Sequence, residues 1–253
     1  MGLEPVLGFG ELTATPSGDR PTHPIWRRSG RPYNDLPPLP PAIDLERVSL
    51  RAPVANPGKV IAVRGNYQGS EVSESGPAPP DPDLFLKAAS SVAGPADGIE
   101  LRMPGRRVDH EVELVAVVGR PVACAADAAR PDVVAGYCIG IDVTMRGAED
   151  RGLRKSLDGF TVLGPWLTTA DEVADPGRLE IELAVNGELR QRGSTSRLLH
   201  DVPALLAAAA SYFTLQPGDV LMTGTPPGVG PLERGDVVGC RNDRLGSMRV
   251  EVR

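Results

Sequence analysis

Asp109-His110-Glu111-Val112-Glu113-Leu114-Val115-Ala116-Val117-Val118-Gly119 joins a cluster of acids to an unbroken apolar run. Its Val-rich run predicts a strand, and the unbroken apolar tail predicts that the strand is buried. On a strand, Glu111 and Glu113 point to one face, and His110 points to the other. Two neighbouring buried carboxylates repel and are costly to leave unpaired, so a cation is expected between them. The alternative is an exposed strand end with two solvated glutamates. A third acid stands in a similar setting, because Tyr137-Cys138-Ile139-Gly140-Ile141-Asp142-Val143-Thr144 places Asp142 within a β-branched run. Three buried carboxylates make a hard-oxygen site that suits Mg²⁺ or Mn²⁺ better than Zn²⁺. Spacing alone does not bring the three together.

Working outward, Val60 to Val63, Leu84 to Lys87, Val108 to Gly119 and Val134 to Thr144 read as strands. Glu180 to Val185 alternates and runs into Asn186-Gly187, a strong hairpin signal. Val202 to Phe213 is the clearest helix, with Asp201 as its cap and Pro203 in its first turn. Strands dominate and no βαβ rhythm appears, so the expected class is α+β, mostly β. Residues 1–55 differ in texture, being rich in Pro, Gly and Arg around Leu36-Pro37-Pro38-Leu39-Pro40-Pro41, and read as a short irregular arm. Residues 56–253 are then the folded domain.

The 253 residues carry a formal net charge of −6, and no Lys/Arg block exceeds a pair, which argues against a nucleic-acid surface or a polybasic membrane patch. No apolar run approaches the roughly 20 residues that span a bilayer. Met1 to Phe9 has no basic region of the secretory kind. Cys124, Cys138 and Cys240 are scattered and odd in number, so they are expected to be buried thiols of a cytoplasmic protein.

Only Lys59, Lys87 and Lys155 are lysines among 27 basic residues. Lys155 lies in Arg154-Lys155-Ser156-Leu157-Asp158, where an ammonium could bind a carboxylate or enolate, or pair with Asp158. Thr223-Gly224-Thr225-Pro226-Pro227-Gly228-Val229-Gly230 is a Gly/Pro loop after a strand, whose backbone N–H groups could hold an anion.

In order, these motifs resemble the fumarylacetoacetate hydrolase family. The matching pieces are Pro57-Gly58-Lys59-Val60-Ile61, Asn66-Tyr67, Leu84 to Lys87, Asp109-x-Glu111-Val112-Glu113-Leu114, Gly136-Tyr137 and Asp142-Val143-Thr144-x-Arg146. They continue with Lys155-Ser156-x-Asp158, Leu163-Gly164-Pro165-Trp166, Val185-Asn186-Gly187-Glu188, Leu215-x-Pro217-Gly218-Asp219 and Thr223 to Gly230. All three lysines fall inside matching motifs. The resemblance covers about residues 57 to 253. It implies a mixed β-sandwich roll, usually a homodimer, with a divalent metal on Glu111, Glu113 and Asp142. It implies substrates that are β-diketo or 2-oxo acids, with Lys155 at the substrate and Thr225 on its carboxylate. Tyr67, Lys87 and Arg146, also in matching motifs, are expected to bind substrate. A metal chelated by a 2-oxo acid would stabilise an enolate, an intermediate common to the family's C–C hydrolysis, decarboxylation, hydration and tautomerisation.

The chain departs from the pattern where hydrolysis needs a base. Many family hydrolases have a His shortly after Asn-Tyr and a Glu three residues on, whereas here Ser70 and Ser73 stand at those positions. Glu71 or Glu74 could substitute as the catalytic base, and the alternative is that both are solvated loop acids. His23 and His200 lie elsewhere, and His110 stands where the family often has an aromatic. Arg64-Gly65 replaces a small-apolar pair, so Arg64 could add a cation for an acidic substrate, and Gly147 replaces an acid. The expected function is C–C bond hydrolysis of a 2-oxo or β-dicarbonyl acid, acylpyruvase-like, with Mg²⁺ or Mn²⁺. The rivals are a decarboxylase, tautomerase, isomerase or hydratase of the same family, and a non-catalytic relative that binds metal or ligand.

Overall fold

The computed structural model describes residues 13–14, 48–70 and 80–253. Most of the Pro-rich arm, His23, Glu71 and Glu74 lie outside the described residues. The strands are β1 (Thr13–Ala14), β2 (Val48–Ser49), β3 (Val60–Arg64), β4 (Asp83–Lys87), β5 (Val92–Ala93), β6 (Val108–His110), β7 (Val112–Val118) and β8 (Val134–Asp142). They continue with β9 (Thr144–Met145), β10 (Thr161–Thr169), β11 (Glu180–Val185), β12 (Glu188–Ser194), β13 (Val220–Met222), β14 (Gly230–Pro231), β15 (Val237–Asn242) and β16 (Gly246–Glu251). The α-helices among the described residues are α1 (Ala125–Ala128), α2 (Arg151–Lys155) and α3 (Val202–Ala210), all short.

Among the described residues the strands build a seven-stranded mixed sheet in the order β4-β3-β13-β7-β8-β10-β5. A four-stranded antiparallel sheet, β12-β11-β15-β16, and a small sheet, β14-β6-β9, accompany it. The mostly β, α+β class expected from the sequence is the one observed. Among the described residues, no helix is long and apolar enough to cross a membrane.

Alternation along β7 explains how the sheet buries both faces. Leu114, Ala116 and Val118 join Ile139, Ile141, Ile181, Leu183, Leu205 and Val238 in the main core. Val115 points the other way, into a smaller cluster with Val60, Ala62, Cys138, Val220 and Met222. Glu113 and Asp142 share parity with Val115 and Cys138. Both acids therefore rise from the smaller cluster's face, and the apolar packing there is their floor.

Two strands expected as continuous are broken. The Val108–Gly119 run divides at Glu111 into β6 and β7, and the Val134–Thr144 run divides at Val143 into β8 and β9. Beyond the breaks, β6 and β9 pair with each other rather than with the large sheet. The Asp142 N–H still donates to the Glu111 carbonyl at 2.8 Å, so the two acids are tied at the branch point.

The hairpin forms as expected, with Asn186 at φ 53° and Gly187 at φ 83°, the left-handed pair that a tight hairpin turn requires. The helix is shorter than expected. Asp201 caps α3 by accepting from the Ala204 N–H at 2.9 Å, but the helix ends at Ala210. There the Ser211 N–H turns to the Ala208 carbonyl, and the Ser211 hydroxyl also donates to that carbonyl. Cys138 and Cys240 are buried as expected, but Cys124, contrary to expectation, is exposed, because it precedes α1 at the surface. Burial pushes the Cys138 thiol up to about 12.

Candidate metal and catalytic centre

Glu111 follows β6, Glu113 is the second residue of β7, and Asp142 ends β8, where Glu113 lies opposite Gly140. Antiparallel pairing at this register brings the three carboxylates together, with one oxygen of each within 4.8 Å of the others. Glu113 and Asp142 are each 1% exposed, while Glu111 is partly open. The centre is thus closed at its base and open at Glu111.

Two lysines meet these acids. Lys155, the last residue of α2, donates to Glu111 Oε2 at 2.8 Å, Asp142 Oδ2 at 2.7 Å and Thr144 Oγ1 at 2.6 Å. Lys87, the last residue of β4, reaches Asp142 Oδ1 from the opposite side and donates to the Phe160 carbonyl at 2.8 Å. Burial alone would raise the Asp142 carboxyl, but the ammoniums of Lys155 and Lys87 outweigh it and hold the group below its ordinary range. Burial likewise opposes the charge of Lys155, yet Asp142 and Glu111 keep its pKa above the ordinary value. Lys87, wholly enclosed, is pushed down by burial despite Asp142, with Lys155 adding to the fall.

Glu113 differs from its neighbours. No lysine or arginine among the described residues pairs with it, and its Oε2 accepts from the Gly224 N–H at 2.7 Å. Burial, and then the charge of Asp142, raise its carboxyl well above the ordinary value. The cation expected between Glu111 and Glu113 sits instead between Glu111 and Asp142. With every group ionised, three carboxylates and two ammoniums leave one excess negative charge, concentrated at Glu113. An all-oxygen donor set with uncompensated charge fits a hard divalent cation such as Mg²⁺ or Mn²⁺.

A buried amide fastens the wall of this centre. Gln191 Oε1 accepts from the Val112 N–H at 3.0 Å and lies 2.9 Å from His110 Nδ1. Its Nε2 donates to Thr225 Oγ1 at 2.7 Å and to the Pro226 carbonyl at 2.8 Å. The Thr-Gly-Thr-Pro loop is thereby locked to the start of β7. Within it, Gly224 has φ 95°, and a Cβ there would stand 2.9 Å from the Asn66 Cβ, so only glycine turns its N–H onto Glu113 without strain. Gln191 was not legible because β12 reads as a polar surface strand, and its one buried position looks like the rest. Thr144 lay inside a quoted motif, but nothing in the sequence marked its hydroxyl as a partner of Lys155.

The remaining expected site residues fall at different distances from the acids. The Thr225 hydroxyl donates to the Val112 carbonyl at 2.8 Å while accepting from Gln191, so its proton is already engaged. Tyr67 is buried with its phenol oxygen unpaired among the described residues, and burial, then Glu113, then Glu180 raise its pKa. Arg146 donates to Asp109 Oδ2 at 2.6 Å and reaches Glu111 Oε1 at 3.4 Å. Arg64 is exposed at the end of β3, 3.8 Å from Asp83. Asp158 pairs with Arg102 at 2.6 Å rather than with Lys155. Lys59 is structural, clamped to the buried Asp219 at 2.6 Å. Asn66 joins the chain near α3 to the Thr223 strand end through His200 and the Thr223 carbonyl. His110 faces Gln191, as alternation predicted, and burial lowers its pKa. Ser70, at the position of the family's usual His, lies 3.3 Å from the Gly65 carbonyl.

Comparison with known proteins identifies the family. The family model described as fumarylacetoacetate (FAA) hydrolase C-terminal matches residues 59–253. A maleylpyruvate hydrolase of Aquipseudomonas alcaligenes is 45% identical over 84% of this chain and 78% of its own length. A mitochondrial oxaloacetate tautomerase of Xenopus laevis is 39% identical over 79% of this chain and 67% of its own length. The solved structure of a maleylpyruvate hydrolase from Sphingobium sp. SYK-6, in complex with manganese(II) ion and pyruvate, superposes with a TM-score of 0.72 at 42% identity, covering 83% of this chain and 76% of that one. With the family model spanning most of the chain and the acid centre assembled on the same strands as its motifs, this protein is an enzyme of the fumarylacetoacetate hydrolase family.

Proposed function

We propose that this enzyme uses Mg²⁺ or Mn²⁺ to hydrolyse a C–C bond in a 2-oxo or β-dicarbonyl acid, in the manner of an acylpyruvase. The observation that carries the reading is the convergence of Glu111, Glu113 and Asp142 with Lys155 at their open side. The similarity to maleylpyruvate hydrolases, one of them solved with manganese and pyruvate, supports it. We further propose residues 56–253 as the catalytic domain, residues 1–55 as an arm, a homodimer as the working form and the cytoplasm as its location.

Glu111, Glu113 and Asp142 would hold the cation. When bound, it supplies Lewis-acid polarisation of the substrate's oxo group. Lys87, buried under Asp142, keeps that carboxylate ionised. Lys155 is the cation at the mouth, placed to stabilise negative charge that develops on a substrate oxygen. The Gly224 N–H orients Glu113, and Gln191 fixes the loop that carries Gly224. Tyr67, Arg64 and Arg146 are proposed substrate contacts. Thr225 is proposed to act through its backbone, since its hydroxyl is engaged with Val112. Glu71 and Glu74 are the proposed bases that take a proton from the attacking water.

Tautomerisation of oxaloacetate is the second reading, favoured by Ser70, whose hydroxyl is no base and sits where the family's hydrolases have His. NMR product analysis with acetylpyruvate and oxaloacetate, in Mg²⁺ and in EDTA, tests the choice. Hydrolysis gives metal-dependent acetate and pyruvate from acetylpyruvate. No acetylpyruvate cleavage, with faster keto–enol exchange of oxaloacetate, replaces the first reading with the second.

A further inference from the structure

The face of β4 that delivers Lys87 to Asp142 also carries Phe85 and Asp83, because alternate strand residues share a face. Each pair of residues advances about 7 Å along a strand. Phe85 therefore lies one step from the acid centre along β4, and Asp83 lies two. Helix α2 runs beside this line. Lys155, at its end, has its ammonium 5.5 Å from the Phe85 ring centroid. Arg151, at its start, has its guanidinium carbon 5.5 Å from the same centroid. The ammonium that touches the acid centre and the Arg151 guanidinium, one helical turn earlier, thus both stand over this ring.

An open groove of about 700 Å³ lies here at β4, the edge strand of the sheet among the described residues, lined by Leu84, Phe85, Leu86, Asp150, Arg151 and Arg154 among others. Its charges do not balance. Asp83 is shared by Arg151, at 3.0 Å, and Arg64, at 3.8 Å. The Asp150 carboxylate caps α2 through the Leu153 N–H. Arg154 donates to the carbonyls of Glu149 and Met145, not to a carboxylate, and the Glu149 carboxylate pairs with Arg106. Arg151 also has donors to spare. Both of its contacts to Asp83 come from Nη1, and its Nη2 and Nε make no hydrogen bond among the described residues. That leaves the edge of the guanidinium that binds a carboxylate in two-point fashion.

We propose that this groove binds the far carboxylate of a dicarboxylic substrate, with Arg151 as the specificity-determining residue. The proposal rests on the C–C hydrolase reading above and narrows its substrate class to acyl-2-oxo acids with a second carboxylate at the end of the acyl chain. Phe85 packs against the acyl chain between the two charged ends, and Arg64 holds Asp83 in place while Arg151 turns its remaining donors to the ligand.

The test compares maleylpyruvate, which has the second carboxylate, with acetylpyruvate, which lacks it. The quantity read is the ratio of their kcat/KM values with Mg²⁺, for wild type, Arg151→Leu and Arg151→Lys. Wild type should favour maleylpyruvate. Arg151→Leu should lower the ratio by about 10- to 100-fold, mainly through the KM for maleylpyruvate. Arg151→Lys, which keeps the charge but not the two-point geometry, should recover part of it. A purely structural Arg151 would depress both substrates together, and an unmoved ratio overturns the proposal, as does a wild type that favours acetylpyruvate. If wild type cleaves neither compound, the hydrolase reading fails on its own. The groove is then judged by calorimetric affinity for the same two compounds in EDTA, where equal affinities, or a preference unchanged by Arg151→Leu, overturn it.

Discussion

Replacing Lys155 with methionine removes an ammonium that touches Glu111 Oε2 at 2.8 Å, Asp142 Oδ2 at 2.7 Å and Thr144 Oγ1 at 2.6 Å. Methionine keeps the length of the side chain, so the change is chiefly one of charge. Lys87 remains on the far oxygen of Asp142, and Arg146 remains near Glu111, but the centre moves from one excess negative charge to two. Breaking a buried ion pair by removing one partner costs about 3–5 kcal/mol. In a chain of this size each kcal/mol moves Tm by about 2–4 °C, so Tm in EDTA should fall by roughly 6–20 °C. Added Mg²⁺ should then raise the Tm of Lys155→Met by more than it raises that of wild type, because it meets a more negative site. Turnover should fall by a factor of about 10² or more even with Mg²⁺ present, as for loss of one group that stabilises developing charge. Calorimetric melting in EDTA and in saturating Mg²⁺ reads the first two effects. An unchanged Tm in EDTA, or a smaller Mg²⁺ increment in the variant than in wild type, would mean that Lys155 does not offset the charge of Glu111 and Asp142.

Glu113 makes a pH prediction for the metal-free protein. Its folded pKa lies above the ordinary 4.5, so the folded state binds more protons than the unfolded state between those values. Its stabilisation is complete below 4.5 and is lost as pH rises through the folded pKa, so wild type in EDTA should lose stability relative to Glu113→Gln as pH climbs; a difference independent of pH contradicts this. Gln191→Leu strands the Val112 N–H and the Pro226 carbonyl, at about 1–3 kcal/mol for each buried orphan, so urea unfolding should show a loss of about 2–6 kcal/mol. A loss under about 0.5 kcal/mol would mean that the amide is not the clamp described. Glu71→Gln and Glu74→Gln test the proposed bases: the true base should cost about 10²- to 10⁴-fold in kcat with Mg²⁺ affinity retained, and near-normal turnover in both variants removes them from the mechanism.

The acid centre was legible because Glu113 and Asp142 lie on strands whose hydrophobic run marks burial, with Glu111 at the break just before β7, and a carboxylate in such a run needs a partner. Parity placed Glu111 and Glu113 on one face, and β-pairing brought Asp142 to them. The partner itself was less legible. Lys155 stands between Glu111 and Asp142, while Glu113 rests on a backbone N–H, and neither arrangement follows from spacing. Strand β10 was hidden because Gly164-Pro165 interrupts its apolar pattern. The breaks at Glu111 and Val143 were hidden because they occur where strands leave one sheet for another, a tertiary choice that local propensity does not record. Gln191 was hidden among solvent-facing residues of β12, where a single buried amide carries no periodic signature.

Glu111, Glu113 and Asp142 are proposed to form one divalent-cation site on which the chemistry depends. Calorimetric titration of the EDTA-stripped enzyme with Mn²⁺, for wild type and Glu113→Gln, tests it most directly, with circular dichroism to verify the fold. One Mn²⁺ per chain in wild type, and at least tenfold weaker binding in a folded Glu113→Gln, is the result expected. Equal affinity in the two proteins, or no binding by wild type, would contradict the account.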